Sequence, residues 1–355
     1  MYTEPDVILA PGTVRVHVAL EPTHNALTSL FTLSLVERIS GLDAWVEKTA
    51  ASLSAEQAST NRILFEVFSE AFEPAESYPS FPDYLAVLAE KDPQDLQARA
   101  LEDLHQRTGG APAEGHPLEN LESFLGRMQH RYPDQKVKRE LYAQAYHLLA
   151  DPPAMKAHTL AHLKAMWEQF LAPEWARRKP QLQEVVEAHQ ARRYAGLNAY
   201  QAIQKITGRD MRGNWHRALS RAQELLFLPS AHVGPYLVKF VAGPLVRIAF
   251  GARPPVGEGQ RASELSRGDL LLHLRALADE TRLRILELLV EHGELHAQEI
   301  ITLLELSQSS ASRHLSQLSA TGYLVERKGE GKAKRYRLNP ARFQETIEAI
   351  EGLIR

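Results

Sequence analysis

Leu306-Ser307-Gln308-Ser309-Ser310-Ala311-Ser312-Arg313-His314-Leu315-Ser316-Gln317-Leu318 is the stretch on which the reading of this 355-residue chain turns. Ser307 is a good N-cap, able to take up an orphan backbone donor, and Ala311, Leu315 and Leu318 then recur at helical spacing. The opposite face carries Gln308, Ser309, Ser312, Arg313 and Gln317, side chains that can donate to base edges or phosphates. Ala297 to Leu304 in front of it reads as a short amphipathic helix, and Glu305-Leu306-Ser307 has the length of a helix-turn-helix turn. Behind it Gly322 stops the helix. Tyr323-Leu324-Val325 and Tyr336-Arg337-Leu338 then bracket a turn holding Gly329 and Gly331, which predicts a β-hairpin, or wing.

Charge sets this hairpin apart. Between Leu306 and Arg342 the bases are Arg313, Arg327, Lys328, Lys332, Lys334, Arg335, Arg337 and Arg342, and the acids are Glu326 and Glu330. The local balance is plus six in a chain whose total is minus three. A concentrated positive field suits phosphate contact, because counterion release supplies much of the affinity for nucleic acid. A solvated charged hairpin is the plainer alternative.

The run Leu274-Arg275-Ala276-Leu277-Ala278-Asp279-Glu280-Thr281-Arg282-Leu283-Arg284-Ile285-Leu286-Glu287-Leu288-Leu289, with Leu306 to Leu315 and Thr321-Gly322-Tyr323-Leu324-Val325, resembles the ArsR-type winged helix-turn-helix repressors over about the last quarter of the chain. The resemblance implies a dimeric, sequence-specific binder of double-stranded DNA, bacterial or archaeal, with Gln308 to Ala320 as recognition helix. The expected DNA-binding set is Gln308, Ser309, Ser310, Ser312, Arg313, His314, Gln317, Arg327, Lys328, Lys332, Lys334 and Arg335. Arg313 and Gln308 would approach bases, the serines would contribute phosphate or base contacts, and Lys332, Lys334 and Arg335 would hold the flanking backbone. The metal-sensing members carry cysteines on the first helix of the motif, where this chain has Glu294-Leu295-His296-Ala297-Gln298-Glu299, and it has no cysteine at all. A second sensor type uses histidines and acids on the last helix; here Gln344, Glu345, Glu348 and Glu351 stand without a histidine. Metal sensing by either route is disfavoured, and no metal or cofactor is expected.

A prior of about 100 to 200 residues per domain suggests two or three domains. The expected fold is mainly α with small antiparallel β elements. Residues 1–250 would form a mostly helical regulatory or dimerisation region with a small sheet (14–20, 224–251), residues 251–267 a linker, and residues 268–355 the winged helix-turn-helix. Without cysteine there are no disulfides, which suits a reducing interior. The N-terminus lacks a basic region followed by an apolar run, and no apolar segment reaches the roughly 20 residues needed to span a bilayer. The expectation is a cytoplasmic protein with no membrane partner.

Val14, Val16, Val18 and Leu20 alternate along a strand. Helices follow over Asn25–Ile39, Leu42–Leu53, Ala55–Phe72, Asp83–Ala89 and Pro93–Arg107, with Pro74, Pro79 and Pro82 marking a loop. From Leu118 to Thr207 the signal is nearly continuously helical, with stops at Pro133, Asp151-Pro152-Pro153, Pro173 and Pro180. Glu224–Leu228, Tyr236–Val241 and Leu245–Gly251 have the spacing of a β-meander, which together with Val14–Leu20 would make one antiparallel sheet.

Leu270, Leu271, Leu274 and Leu277 share one face of the module's first helix. Phe343, Ile347, Ile350 and Ile354 share one on its last, which opens with Asn339 as cap and Pro340. These helices (270–277 and 341–354) are the expected homodimer surface; packing within one chain is the alternative. His158 and His162 stand one helical turn apart, a metal-compatible spacing, though surface or partly packed histidines are the default. Trp167, Phe170, Trp175, Tyr194, Tyr200 and Trp215 could line an effector pocket, or simply a core. No nucleophile, base and acid stand in a recognisable catalytic pattern, so the protein is not expected to be an enzyme. The favoured reading is a DNA-binding transcriptional regulator with a small-molecule effector possible. The alternative is an enzyme or protein-interaction domain that uses a winged helix for dimerisation or docking.

Overall fold

Start signals in the sequence place most of the helices. The computed structural model describes residues 12–107, 116–131, 138–209, 215–255, 267–328 and 334–353. The chain divides into two units, one drawn from Glu21–Val36 and Ala44–Arg178, the other from Met1–Leu20, Glu37–Asp43 and Lys179–Arg355.

The first unit is helical: α1 (Pro22–Leu35), α2 (Ala44–Ser52), α3 (Ala55–Glu66), α4 (Ser69–Phe72), α5 (Phe81–Glu90), α6 (Pro93–Arg107), α7 (Leu121–Arg131), α8 (Arg139–Ala150), α9 (Pro152–Met166), a π-helical turn (Trp167–Leu171) and the start of α10 (Ala172–Gln190). Ser54 and Gln57 cap α3 reciprocally in a capping box. Ser80 caps α5 by accepting from the Asp83 amide. At Asp151-Pro152-Pro153 the expected stop is also a start, since Asp151 accepts from the Ala154 amide and Pro152 takes the first position, where its missing N–H costs nothing. Two expectations fail. Ala55–Phe72 is two helices, interrupted at Val67 and Phe68, and Pro173 and Pro180 do not stop α10. The widened turn Trp167–Leu171 lies just ahead of Pro173, and Pro180 forfeits one ladder bond within a 19-residue helix.

Phe68, Phe72, Phe81, Phe124, Leu30 and Leu96 are fully buried in this unit. A polar seam runs beside them: Asn61 donates to the Leu30 carbonyl at 2.7 Å and meets His162 Nε2 at 3.3 Å, while His158 Nε2 lies 3.1 Å from the Thr60 hydroxyl. The two histidines thus engage different partners and do not converge on one point. Trp167 packs on Phe81, whereas Tyr194 lies beside His189 and Tyr200 beside His216 in the other unit.

The second unit contains a four-stranded sheet of β1 (Arg15–Val18), β2 (Glu224–Ser230), β3 (Val238–Ala242) and β4 (Leu245–Gly251), in the order β1-β2-β4-β3. The strands fall where alternation and turns place them, but the meander is overturned. β1 runs parallel to β2 and β2 parallel to β4, and only β3 and β4 form an antiparallel hairpin, across Gly243-Pro244. Turn spacing locates strands without choosing their neighbours; here β2 pairs with the far edge of β4. One sheet face packs on α10, α11 (Ala199–Thr207) and α12 (His216–Leu219) through Val14, Val186, Ile203, Ile206, Phe227, Ile248 and Phe250.

The winged module completes the unit: α13 (Arg267–Leu277), α14 (Glu280–His292), β5 (Glu294–His296), α15 (Ala297–Leu303), α16 (Gln308–Ala320), β6 (Leu324–Lys328), β7 (Lys334–Leu338) and α17 (Pro340–Gly352), with an antiparallel sheet ordered β5-β7-β6. The expected class, mainly helical with small antiparallel elements, is the observed one. Ile285, Leu289, Ile300, Leu315, Leu318, Tyr323 and Tyr336 form the module's core. Its attachment to the sheet half of the unit is polar: Arg253 pairs with Asp269 at 2.7 Å, and Arg342 donates to the Gly208 carbonyl at 3.4 Å. Arg253 belongs to the expected linker 251–267, of which 256–266 lie outside the described residues.

His273 of α13 is buried among these groups, with its ring edge-on to Tyr323 and with Arg342, Asp269 and Arg253 around it. Burial, reinforced by Arg342 and Arg253 and opposed by Asp269, pushes its imidazole down from 6.5 to about 4. The fold therefore holds it neutral while the unfolded chain takes up a proton below pH 6.5. Its contribution is complete above that pH and is lost as pH falls toward 4. Acid titration of stability should show a loss of about 3 kcal/mol over this window from this group, and His273→Gln should flatten that part of the profile in urea melts.

Candidate nucleic-acid interface

Asp279 fixes the recognition helix from behind. It caps α14 by accepting from the Arg282 amide at 2.9 Å, and its second oxygen lies 3.5 Å from the Arg282 guanidinium. That buried guanidinium donates to the carbonyls of Ala276 (2.5 Å) and Arg275 (2.8 Å), satisfying the end of α13, where a cation also suits the helix dipole. The capping oxygen faces His314 Nδ1 of α16 at 3.5 Å. One carboxylate thus ties three helices together.

The α15–α16 turn needs an unusual backbone: Glu305 sits at φ +53°, a region that costs a non-glycine residue energy. Ser307 then caps α16, accepting from the Ser310 amide at 3.1 Å. Ala311, Leu315 and Leu318 are buried, as their spacing requires. Gln308, Ser309 and Ser312 are exposed, and Ser310 and Arg313 half-exposed, so five of the expected contacts share an accessible surface at the N-terminal half of the helix.

Two expected contacts are corrected. His314 is 6% exposed and Gln317 2% exposed, and both point into the protein. His314 completes the i, i+3, i+4, i+7 pattern with Ala311, Leu315 and Leu318, so it belongs to the buried stripe. Burial, with Arg282 and Arg313 adding to it and Asp279 opposing, lowers its pKa and keeps it neutral. Gln317 accepts from the Ser40 hydroxyl, a partner 277 positions away that the sequence could not suggest. Asp279 and Arg282 were also missed as organisers. Asp279 ahead of an apolar-periodic run, with Arg282 three positions on, was the available signal.

In the wing, β6 and β7 pair so that Arg327 stands opposite Arg335 and Lys328 opposite Lys334. Arg327 and Lys334 are exposed and Arg335 is half-exposed. The Lys328 side chain and all of Lys332 lie outside the described residues. Lys334 reaches Glu326 at 2.8 Å. Like charges directly across a ladder destabilise it, so this register concentrates positive potential at a cost in hairpin stability that a polyanion would relieve.

The model of the family described as "Bacterial regulatory protein, arsR family" matches residues 279–325. The chain is similar to the arsenical resistance operon repressor of Escherichia coli (strain K12), 50% identical over 66 residues that make up 19% of this chain and 56% of that protein. It is also similar to the arsenic resistance transcriptional regulator ArsR1 of Pseudomonas putida, 40% identical over 80 residues, 22% of this chain and 62% of the relative. The transcriptional activator HlyU of Vibrio cholerae is 39% identical over 80 residues, 22% of this chain and 72% of its own length. The chain belongs to the arsR family.

The matches with the first two relatives span about three fifths of those relatives' length, and no solved structure matches. The helical unit and the four-stranded sheet lie outside the family match. In this ArsR-family chain Glu294–His296 is the strand β5, and α15 begins after it, with His296 and Glu299 closing a capping box. On α17, Glu345 pairs with Arg342 at 2.8 Å, and Gln344 donates to Glu348 at 3.1 Å. Asn339 precedes α17, but its side chain donates to the Gly322 carbonyl at 2.9 Å instead of capping the helix. Among the described residues no three His, Cys, Asp or Glu side chains form a group that could hold a metal.

Replacing Asp279 leaves the Arg282 amide without its cap and removes the carboxylate 3.5 Å from both the Arg282 guanidinium and His314. Asp279→Ala should cost about 1–2 kcal/mol of stability, measured by urea unfolding, with hydrogen exchange accelerated first at the start of α14.

Proposed function

We propose that this protein is a dimeric, sequence-specific DNA-binding transcriptional regulator acting in the cytoplasm. The observation that carries the reading is the helix α16, held from behind by Asp279, with Gln308, Ser309, Ser312 and Arg313 along its accessible side and a wing of facing like charges next to it. A helix of this width fits a major groove, where Gln308 and Arg313 would meet base edges. Ser309, Ser310 and Ser312 would share base and phosphate contacts, and Arg327, Lys328, Lys332, Lys334 and Arg335 would hold the flanking backbone.

Dimerisation is supported by apolar side chains left uncovered on the module's outer helices. Leu271 and Leu274 on α13, and Ile347 and Ile350 on α17, are exposed, Leu271 at 52% and Ile347 at 50%. A two-fold pairing over these helices would present two recognition helices to successive turns of duplex. The regions before the module would regulate it, through the Arg253–Asp269 and Arg342–Gly208 contacts.

Fluorescence anisotropy with duplex from upstream of the protein's own gene tests the reading. Wild type should prefer that duplex over a scrambled one at physiological salt. Arg313→Ala should erode the preference by about 1–3 kcal/mol, while Lys334→Ala should weaken every duplex alike and reduce the salt slope by about one. Absence of any wild-type preference would sink the proposal. Ile350→Asp should sediment as a folded monomer with poor DNA binding; a folded dimer that binds normally would remove the interface.

A further inference from the structure

A short segment far away in sequence grips the C-terminal half of the recognition helix. Gln317 of α16 is buried, and its Oε1 accepts a 2.5 Å hydrogen bond from the Ser40 hydroxyl. The carbonyl of Ser40 in turn accepts from the Tyr236 hydroxyl at 2.9 Å, in the connection between β2 and β3. The adjoining Gly41 has φ +79°, and a Cβ on it would stand 2.7 Å from Gln317 Nε2. Across the segment, Gly234 has φ +59°, and a Cβ there would stand 2.6 Å from the Gly41 carbonyl oxygen. Residues 37–43 are therefore wedged between the β2–β3 connection and α16 at a spacing that excludes side chains on both sides. Arg209 secures the same connection by donating to the Pro235 carbonyl.

A buried amide needs a partner, and that alone would account for one hydrogen bond. It would not account for two glycines in left-handed conformations, Gly41 against the Gln317 side chain and Gly234 against the Gly41 carbonyl. We propose that Ser40 and Gly41 are positioning residues for DNA reading. They set the seat of α16, and with it the angle at which Gln308, Ser309, Ser312 and Arg313 meet the bases; this rests on the DNA-binding function proposed above. The segment continues along the chain into α1 on one side and α2 on the other.

The test uses the full chain with Ser40→Ala, Gln317→Leu and the double variant, each titrated with the preferred and scrambled duplexes over a salt series. Hydrogen exchange along α16 is followed without DNA. Ser40→Ala should weaken binding to the preferred duplex by about three- to tenfold and leave the salt slope unchanged, since no phosphate contact is lost. The double variant should bind no worse than Gln317→Leu alone, because both remove one shared interaction. Exchange in the last turns of α16 should quicken in Ser40→Ala. Lower thermal stability with affinity within twofold of wild type would reduce the segment to packing and overturn the proposal, as would a salt slope lowered by about one, which would make Ser40 a direct phosphate contact. If wild type ignores every duplex, the DNA-binding reading fails by itself. Quickened exchange in α16 would then show that Ser40 seats the helix without a role in reading DNA, and unchanged exchange would overturn the seating as well.

Discussion

The carboxylate of Asp279 is the constraint from which the reading head takes its shape. A helix-turn-helix must hold one helix proud of the surface while burying only one side of it, and the thin apolar stripe of Ala311, Leu315 and Leu318 is a modest anchor. Asp279 supplements that stripe with direction: it caps α14, fixes the Arg282 guanidinium under the end of α13, and faces His314 on α16. Because the Arg282 amide is capped by Asp279 and the Arg282 guanidinium is bonded to the carbonyls of Ala276 and Arg275, α13 and α14 cannot shift independently without leaving a polar group unsatisfied, and the same carboxylate lies 3.5 Å from His314 on α16. The outward side of α16 is thereby free of structural duty.

Electrostatics then gives that surface its preference. Arg327 facing Arg335 in the wing is a local conflict within the folded chain, beside which Glu326 pairs with Lys334. Conflicts of this kind are expected where stability is traded for binding. The net negative charge of the whole chain makes the contrast sharper, since the local positive excess falls in the module that carries the arsR family match.

What separates this chain from a free-standing winged helix is how the module is joined to the rest of its unit. The contacts are polar and specific: Arg253 with Asp269, Arg342 with the Gly208 carbonyl, Ser40 with Gln317. Removing one partner of such an ion pair or hydrogen bond leaves the other unpaired, so these contacts resist displacement of the module. A sheet with a parallel core, closed by strands from both ends of the pre-module sequence, provides the body to which they attach.

The sequence by itself determined the local elements. Ser307, the helical spacing after it and Gly322 delimit α16 from Gln308 to Ala320, and alternation with turn residues locates all four strands of the larger sheet. These signals are legible because caps, periodicity and turns act over a few residues. The tertiary structure alone decided which strands are neighbours, why α10 continues past Pro180, and why Gln317 faces inward although it borders the polar side of its helix. Pairing, proline tolerance and the burial of an amide depend on partners brought from elsewhere in the chain. Ser40 and Gln317 are 277 residues apart, and no local pattern records that they meet.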